Sequence, residues 1–190
     1  MARRGARRED LAEAATDYAL AHGLIGLSLR PLAAALGTSD RMLLYHFRDK
    51  DDLVSTLLRV SNDRSVARVR ALPPSPDVGA AVRQLWRAVT SPEQEQCQRM
   101  YVEAAALGLF GSEPYASVVR EANAAWVEAV SAYLVASGLP EHLGHRAVSL
   151  IDAGFMGLQL DLPLDTDASE VRQTVQDLAD AVSSIAQGSA

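Results

Sequence analysis

Apolar residues recur along the chain at spacings of three and four, the period of an amphipathic helix, and strict apolar–polar alternation is scarce. Glycine, proline and capping residues cut this pattern into helices. The first is expected over about residues 8–22, with Leu11, Ala15, Tyr18, Ala19 and His22 on one face and Gly23 past its end. Two short helices follow at about 29–36 and 40–47. Ser28 stands where its hydroxyl can cap the first of them, and Pro31 falls in the first turn, where a missing N–H costs nothing. Leu32, Ala33 and Leu36 make the apolar stripe, and Gly37 supplies the left-handed residue that ends it. Ser39 caps the next helix, whose Leu43 and Phe47 turn inward. A longer helix starts at Asp49, with Asp52 three residues on in a capping-box-like position, and runs to about residue 70. The cluster Leu72-Pro73-Pro74-Ser75-Pro76 then breaks the pattern. Further helices are expected at about 78–90, 92–110, 114–137, 140–160 and 168–186, three of them opening on Pro92, Pro114 and Pro140.

Two short helices joined by a tight turn cross closely, which needs a small residue at the crossing; Ala33, four before the turn glycine, meets that need. This is the geometry of a helix-turn-helix, whose second helix enters the DNA major groove. The same residues resemble the N-terminal domain of the TetR family of bacterial transcriptional repressors. The resemblance runs from an apolar helix beginning near Leu11 and ending at Gly23, through Ser28-Leu29-Arg30, Leu32-Ala33 and Leu36-Gly37-Thr38-Ser39. It continues through Leu43 and Tyr45-His46-Phe47 to Lys50 and Leu53. It covers about the first fifty-five residues, and the rest matches in length, helical character and order only. It implies an all-α chain with a helix-turn-helix DNA-binding domain at 1–49, a connecting helix at 50–72 and a helical ligand-binding and dimerisation domain at 73–190.

By position on the second short helix, Asp40, Arg41, Met42, Tyr45 and His46 face outward. Arg41 can make a bidentate contact to guanine O6 and N7, and Met42 can pack on a thymine methyl. Asp40 has two roles open to it: accepting from cytosine N4, or holding Arg41 or Arg30 in place. The resemblance implies that Arg30 reaches base edges or backbone, and that Ser39, Tyr45 and His46 bind phosphates. It also implies that Lys50 binds phosphate at the start of the fourth helix, where free N–H groups add their attraction. Packing inside the domain is the alternative for His46 and Tyr45. The sequence departs from the family pattern at Leu44, where many members carry a phosphate-binding tyrosine; Tyr45 is next to it.

The 190 residues, 48% hydrophobic and 22% charged, describe a globular chain rather than a disordered one. The net charge of −6 speaks against nucleic-acid binding until it is divided. Residues 1–70 hold 12 Lys+Arg against 9 Asp+Glu, a net of +3; residues 71–190 hold 6 against 15, a net of −9. Such asymmetry suits a DNA-reading head on an acidic body. Arg3, Arg4, Arg7 and Arg8 form a basic start, read either as a solvated tail or as added phosphate neutralisation. No apolar run approaches the ~20 residues that cross a bilayer, and the basic start lacks the apolar core of an export signal. With the single cysteine Cys97, this points to a cytoplasmic protein with no membrane partner.

In the last helix Val171, Val175, Leu178, Val182 and Ile185 alternate spacings of four and three, a coiled-coil-like seam that needs a partner helix. The preceding helix offers Ala147, Leu150, Ile151, Gly154 and Leu158, with Gly154 and Gly157 permitting close backbone approach. Burial against the chain's own core is one reading of both stripes; the resemblance favours a homodimer formed through the last two helices. It also implies a small-molecule effector. Candidate lining residues are Trp86, Met100, Tyr101, Glu103, Phe110, Tyr115, Trp126, Asp152, Phe155, Met156 and Gln159, rings and methionines with a few polar groups. Core packing is the alternative for each ring.

An enzyme is not expected. Glu141-His142-x-x-His145 with Asp152 lacks the His-Glu-x-x-His order of a metalloprotease, and solvated histidines at a helix start explain it better. No phosphate loop or dinucleotide fingerprint is present, so no cofactor is expected. The remaining alternative is a helical protein that binds small molecules or partners and carries a degenerate DNA-binding head. The expected partners are double-stranded operator DNA, a small-molecule effector and a second copy of the chain.

Overall fold

The computed structural model describes residues 2–161 and 167–188, with side chains from Arg7 to Leu160 and from Asp167 to Gly188. The side chains of Arg3 and Arg4 lie outside the described residues. Among the described residues the chain forms nine α-helices, one 3-10 turn and no strand. They are α1 (Ala2–His22), α2 (Leu29–Ala35), α3 (Asp40–His46), α4 (Lys50–Arg70), α5 (Val78–Val89), α6 (Pro92–Leu109), α7 (Tyr115–Ala136), α8 (Gly144–Asp161) and α9 (Ala168–Gln187). The fold is all-α with an N-terminal helix-turn-helix. Its helix α1 starts earlier than expected, because Ala2-Arg3-Arg4-Gly5-Ala6-Arg7 holds one weak helix former among five strong ones. The turn at Glu141–Leu143 precedes α8 because the Leu143 N–H bonds back to the Pro140 carbonyl at 2.9 Å, a three-residue reach. No helix among the described residues is long and apolar enough to cross a membrane.

The chain packs as two compact units. One holds the residues up to 65 together with 92–124; the other holds 66–91 and the residues from 125 on. In the first unit Ala12, Ala15 and Ala19 of α1 allow close packing against Leu32 and Ala33 of α2, Leu43 of α3, Phe47, and Leu53 and Leu57 of α4. Met100 and Ala104 of α6 complete this core. Truncating a fully buried leucine here, Leu32 or Leu57, costs about 2–5 kcal/mol.

The turn between α2 and α3 follows from Gly37, at φ +62°. The Gly37 N–H bonds to the Ala34 carbonyl at 3.1 Å and the Thr38 N–H to the Ala33 carbonyl at 2.9 Å, which closes the helix end. A Cβ on Gly37 would touch nothing, so the requirement is conformational rather than spatial. Ser28 occupies the N-cap of α2 but makes no side-chain cap bond. Pro31 explains this correction: it stands at the third helical position and removes one of the two N–H groups an N-cap hydroxyl serves.

In the second unit Val78, Ala81, Val82, Leu85 and Val89 of α5 meet Ala147, Val148, Ile151 and Phe155 of α8 and Ala179 and Val182 of α9. Asp77 caps α5 by accepting from the Ala80 N–H at 2.7 Å. The packing corrects the expected dimer seam. Ala147, Ile151, Val171, Val175 and Val182 are buried within the protomer, and Gly154 brings α8 so close to α9 that a Cβ would stand 2.9 Å from Leu178. Leu158 and Ile185 are half-buried beside them. A spacing of threes and fours marks the apolar face of a helix without saying what covers it; α5 and α8 cover α9. A different stripe of α8, Leu150, Ala153, Gly157 and Leu160, is exposed.

Candidate nucleic-acid interface

The reading helix α3 is held from beneath and open above. Leu43 and Phe47 are fully buried, whereas Arg41 is exposed, Met42 is 39% exposed, Leu44 43% and Tyr45 54%. Ser39 caps the helix, its Oγ accepting from the Met42 N–H at 3.3 Å, which leaves its O–H to donate outward. Arg30 on α2 and Lys50 at the start of α4 are also exposed. None of Arg30, Arg41 and Lys50 forms an ion pair among the described residues, so no internal carboxylate competes for them. Asp40 is half-buried and pairs with neither Arg30 nor Arg41, which removes the bracing role considered for it. The His46 ring is half-buried and meets the Tyr45 ring edge-on, centroids 5.2 Å apart.

At the start of α4 Asp49 accepts from the Asp52 N–H at 2.7 Å. Asp52 reaches back to the Arg48 N–H at 3.1 Å, one residue earlier than a capping box requires. The helix end is thus partly satisfied by its own acids.

Two clasps escaped the sequence reading. Arg8 of α1 donates from Nε to the His46 carbonyl at 3.1 Å and from its guanidinium to Thr56 Oγ1 at 3.2 Å. It also lies 3.5 Å from Asp52 and 4.9 Å above the Phe47 ring. The available signal was its register, four residues before Ala12 and seven before Ala15 on the buried face. Glu103 of α6, expected in a ligand site, accepts from the N–H groups of Leu24 and Ile25 at 2.6 and 2.7 Å. It pins the loop that leads into α2.

Residues 11–57 match the family described as bacterial regulatory proteins, tetR family. The whole fold resembles a TetR-family transcriptional regulator assignment from Rhodococcus sp., at 20% identity and TM-score 0.69, covering 96% of this chain and 100% of that one. The family match is to the N-terminal segment, and the fold as a whole is that of TetR-family regulators. Its fold is also similar to the multidrug binding protein EbrR complexed with proflavin, at 26% identity and TM-score 0.65, over 90% of this chain and 99% of that one. A transcriptional regulator from Saccharomonospora viridis in complex with choline is 19% identical, with TM-score 0.64, over 93% and 95% of the two chains. No curated protein matches. The family match over residues 11–57 and this helix-turn-helix support a DNA-binding transcriptional regulator.

The expected effector residues separate between the two units. Met100, Tyr101, Glu103, Phe110 and Tyr115 fall in the first unit. There Met100 is core, Glu103 is engaged with the loop, Tyr101 donates its hydroxyl to Asn123 Oδ1 at 2.7 Å, and Phe110 is 88% exposed. Trp86, Trp126, Asp152, Phe155 and Gln159 fall in the second unit, where they form separate contacts. The Trp126 indole donates to Asp152 Oδ1 at 2.9 Å. The Trp86 and Phe155 rings meet at 63°, with centroids 4.9 Å apart. The Gln159 amide donates to the Val89 carbonyl at 3.4 Å, and Met156 is half-buried on the same helix. Burial pushes the Asp152 carboxyl above its ordinary range, and the indole hydrogen bond only partly opposes this. His142 and His145 are exposed, and among the described residues no three His, Cys, Asp or Glu side chains are placed to hold a metal.

Proposed function

We propose that this protein is a homodimeric repressor that reads a near-palindromic operator and is released by a small molecule. Residues 1–49 do the reading, 50–72 connect, and 73–190 bind the effector and the second subunit. The carrying observation is the outer face of α3. Arg41, Met42 and Tyr45 project from a helix whose other side is locked by Leu43 and Phe47, and Arg30 and Lys50 flank it without internal partners. Arg41 reads guanine, Met42 packs on thymine, and Arg30, Ser39, Tyr45, His46 and Lys50 hold the backbone. Two such heads on a two-fold axis require half-sites about one helical turn, or a multiple of it, apart.

The dimer reading is supported by the exposed stripe Leu150, Ala153, Gly157 and Leu160 on α8. The effector reading is supported by EbrR, complexed with proflavin and with ethidium, and by the Saccharomonospora regulator in complex with choline. Release is a population shift: a ligand acts only through unequal affinity for the DNA-binding and released conformations. The experiment is selection of bound duplexes from a random pool. The expected product is an enriched palindrome; a pool that enriches no sequence indicates a ligand- or partner-binding protein with a non-functional head.

A further inference from the structure

A carboxylate set among aromatic rings needs an explanation when no cation of the protein accompanies it. Asp152 is such a group. One of its oxygens accepts from the neutral Trp126 indole, and among the described residues no Lys, Arg or His lies within 4.0 Å of it. Trp126 is its hydrogen-bond partner; Phe155, Met156 and Gln159 follow three, four and seven positions on, on the same side of its own helix, and Trp86 meets the Phe155 ring. An indole N–H can orient a carboxylate but cannot neutralise it, so the half-buried charge is carried at a cost to stability. Burial raising its pKa is the signature of that cost. Three of these rings are large π systems, whose faces attract positive charge as the carboxylate does. An anionic ligand is repelled by the carboxylate and a neutral one gains no charge pairing from it; a cation gains from both the rings and the carboxylate.

We infer that the effector is a hydrophobic organic cation, bound with its charge against Asp152 and its apolar part against Trp86, Trp126 and Phe155. This rests on the reading that an effector binds in the second unit, and it adds the ligand's chemical class and the residue that selects it. Asp152 supplies the charge, Trp126 holds the carboxylate in place and covers the ligand, and Trp86 with Phe155 forms the apolar wall.

The chain has two tryptophans, Trp86 and Trp126, so intrinsic fluorescence reports this site directly. The test titrates the full chain with tetraphenylphosphonium and with tetraphenylborate, which match in size and shape and differ in the sign of their charge. Saturable quenching by the phosphonium, at least about tenfold tighter than by the borate, is expected. Asp152→Asn retains an acceptor for the indole and removes the charge. It should lower phosphonium affinity by about tenfold and bring the two probes close together, with no loss of thermal stability. Equal binding of both probes, or unchanged phosphonium affinity in Asp152→Asn, overturns the cation assignment and leaves an effector site standing. Silence of both probes overturns the assignment and the effector reading of this cluster together. A bound phosphonium that fails to release operator DNA keeps the cation site and rejects its role in release.

Discussion

In the proposed reading Arg41 and Lys50 carry the same charge to the same duplex and do different things with it. Arg41 is exposed on α3, and its planar fork would match guanine O6 and N7 at a base edge. Lys50, at the first position of α4, offers a point charge to phosphate. Arg41→Ala should therefore weaken operator binding by about 1–3 kcal/mol and relax preference at one base pair of each half-site. Lys50→Ala should weaken all duplexes alike and reduce the salt slope by about one. Titration of operator and scrambled duplexes at several salt concentrations separates the two. A loss of preference at one base pair in Lys50→Ala contradicts its phosphate role, and unchanged selectivity in Arg41→Ala removes it from the base-reading set. Leu44 is exposed beside Tyr45, so the outward face has an apolar member where phosphate contact would be expected. The Tyr45 hydroxyl is the nearest replacement in sequence.

The end of α3 is held by a residue of α1 that also reaches α4. Arg8 bonds the carbonyl of His46, one of the acceptors that a helix C-terminus leaves without an intrahelical donor, and reaches Thr56 and Asp52 on α4 with the same guanidinium. It is a positioning residue: it fixes where α3 ends relative to α4. Arg8→Ala should lower stability by about 1–3 kcal/mol and weaken operator binding with an unchanged salt slope. Arg8→Lys should not rescue it, since one ammonium cannot serve acceptors on two helices. A phosphate-binding arm gives the opposite pattern: full stability, a salt slope smaller by about one, and rescue by lysine. Helix positions were legible in the sequence because their causes are local, such as Gly37 at a helix end, Ser39 at a start and the proline run after Leu72. The clasps were not, because Arg8–His46 and Glu103–Leu24 join residues 38 and 79 positions apart, and no local pattern records such an approach. The inward turn of the α9 seam was hidden for the same reason. Its periodicity was plain, but its cover comes from α5, more than eighty residues earlier.

At the scale of the whole molecule α8 presents three faces, as 3.6 residues per turn dictates. Ala147, Ile151, Gly154 and Leu158 turn toward α9 and the core. Asp152, Phe155, Met156 and Gln159 form the face of the aromatic–carboxylate cluster. Leu150, Ala153, Gly157 and Leu160 point away from both. A ligand on the second face and a second subunit on the third would share one helix, so a rotation of α8 that favours one contact alters the other. The two glycines of this helix make the arrangement testable, because they answer differently to the same change. A Cβ on Gly154 stands 2.9 Å from Leu178, whereas a Cβ on Gly157 has nothing within 4 Å among the described residues. In a lone protomer Gly157→Glu is harmless, and a better helix former stabilises α8 by about 0.5–1 kcal/mol. In a dimer that packs α8 closely at Gly157, the same substitution inserts a charged side chain where two backbones approach. The expected outcome is a folded chain with unreduced helicity that sediments as a monomer and binds one half-site in place of two. A Gly157→Glu variant that remains dimeric at the concentration where the parent dimerises would place the subunit interface on another surface.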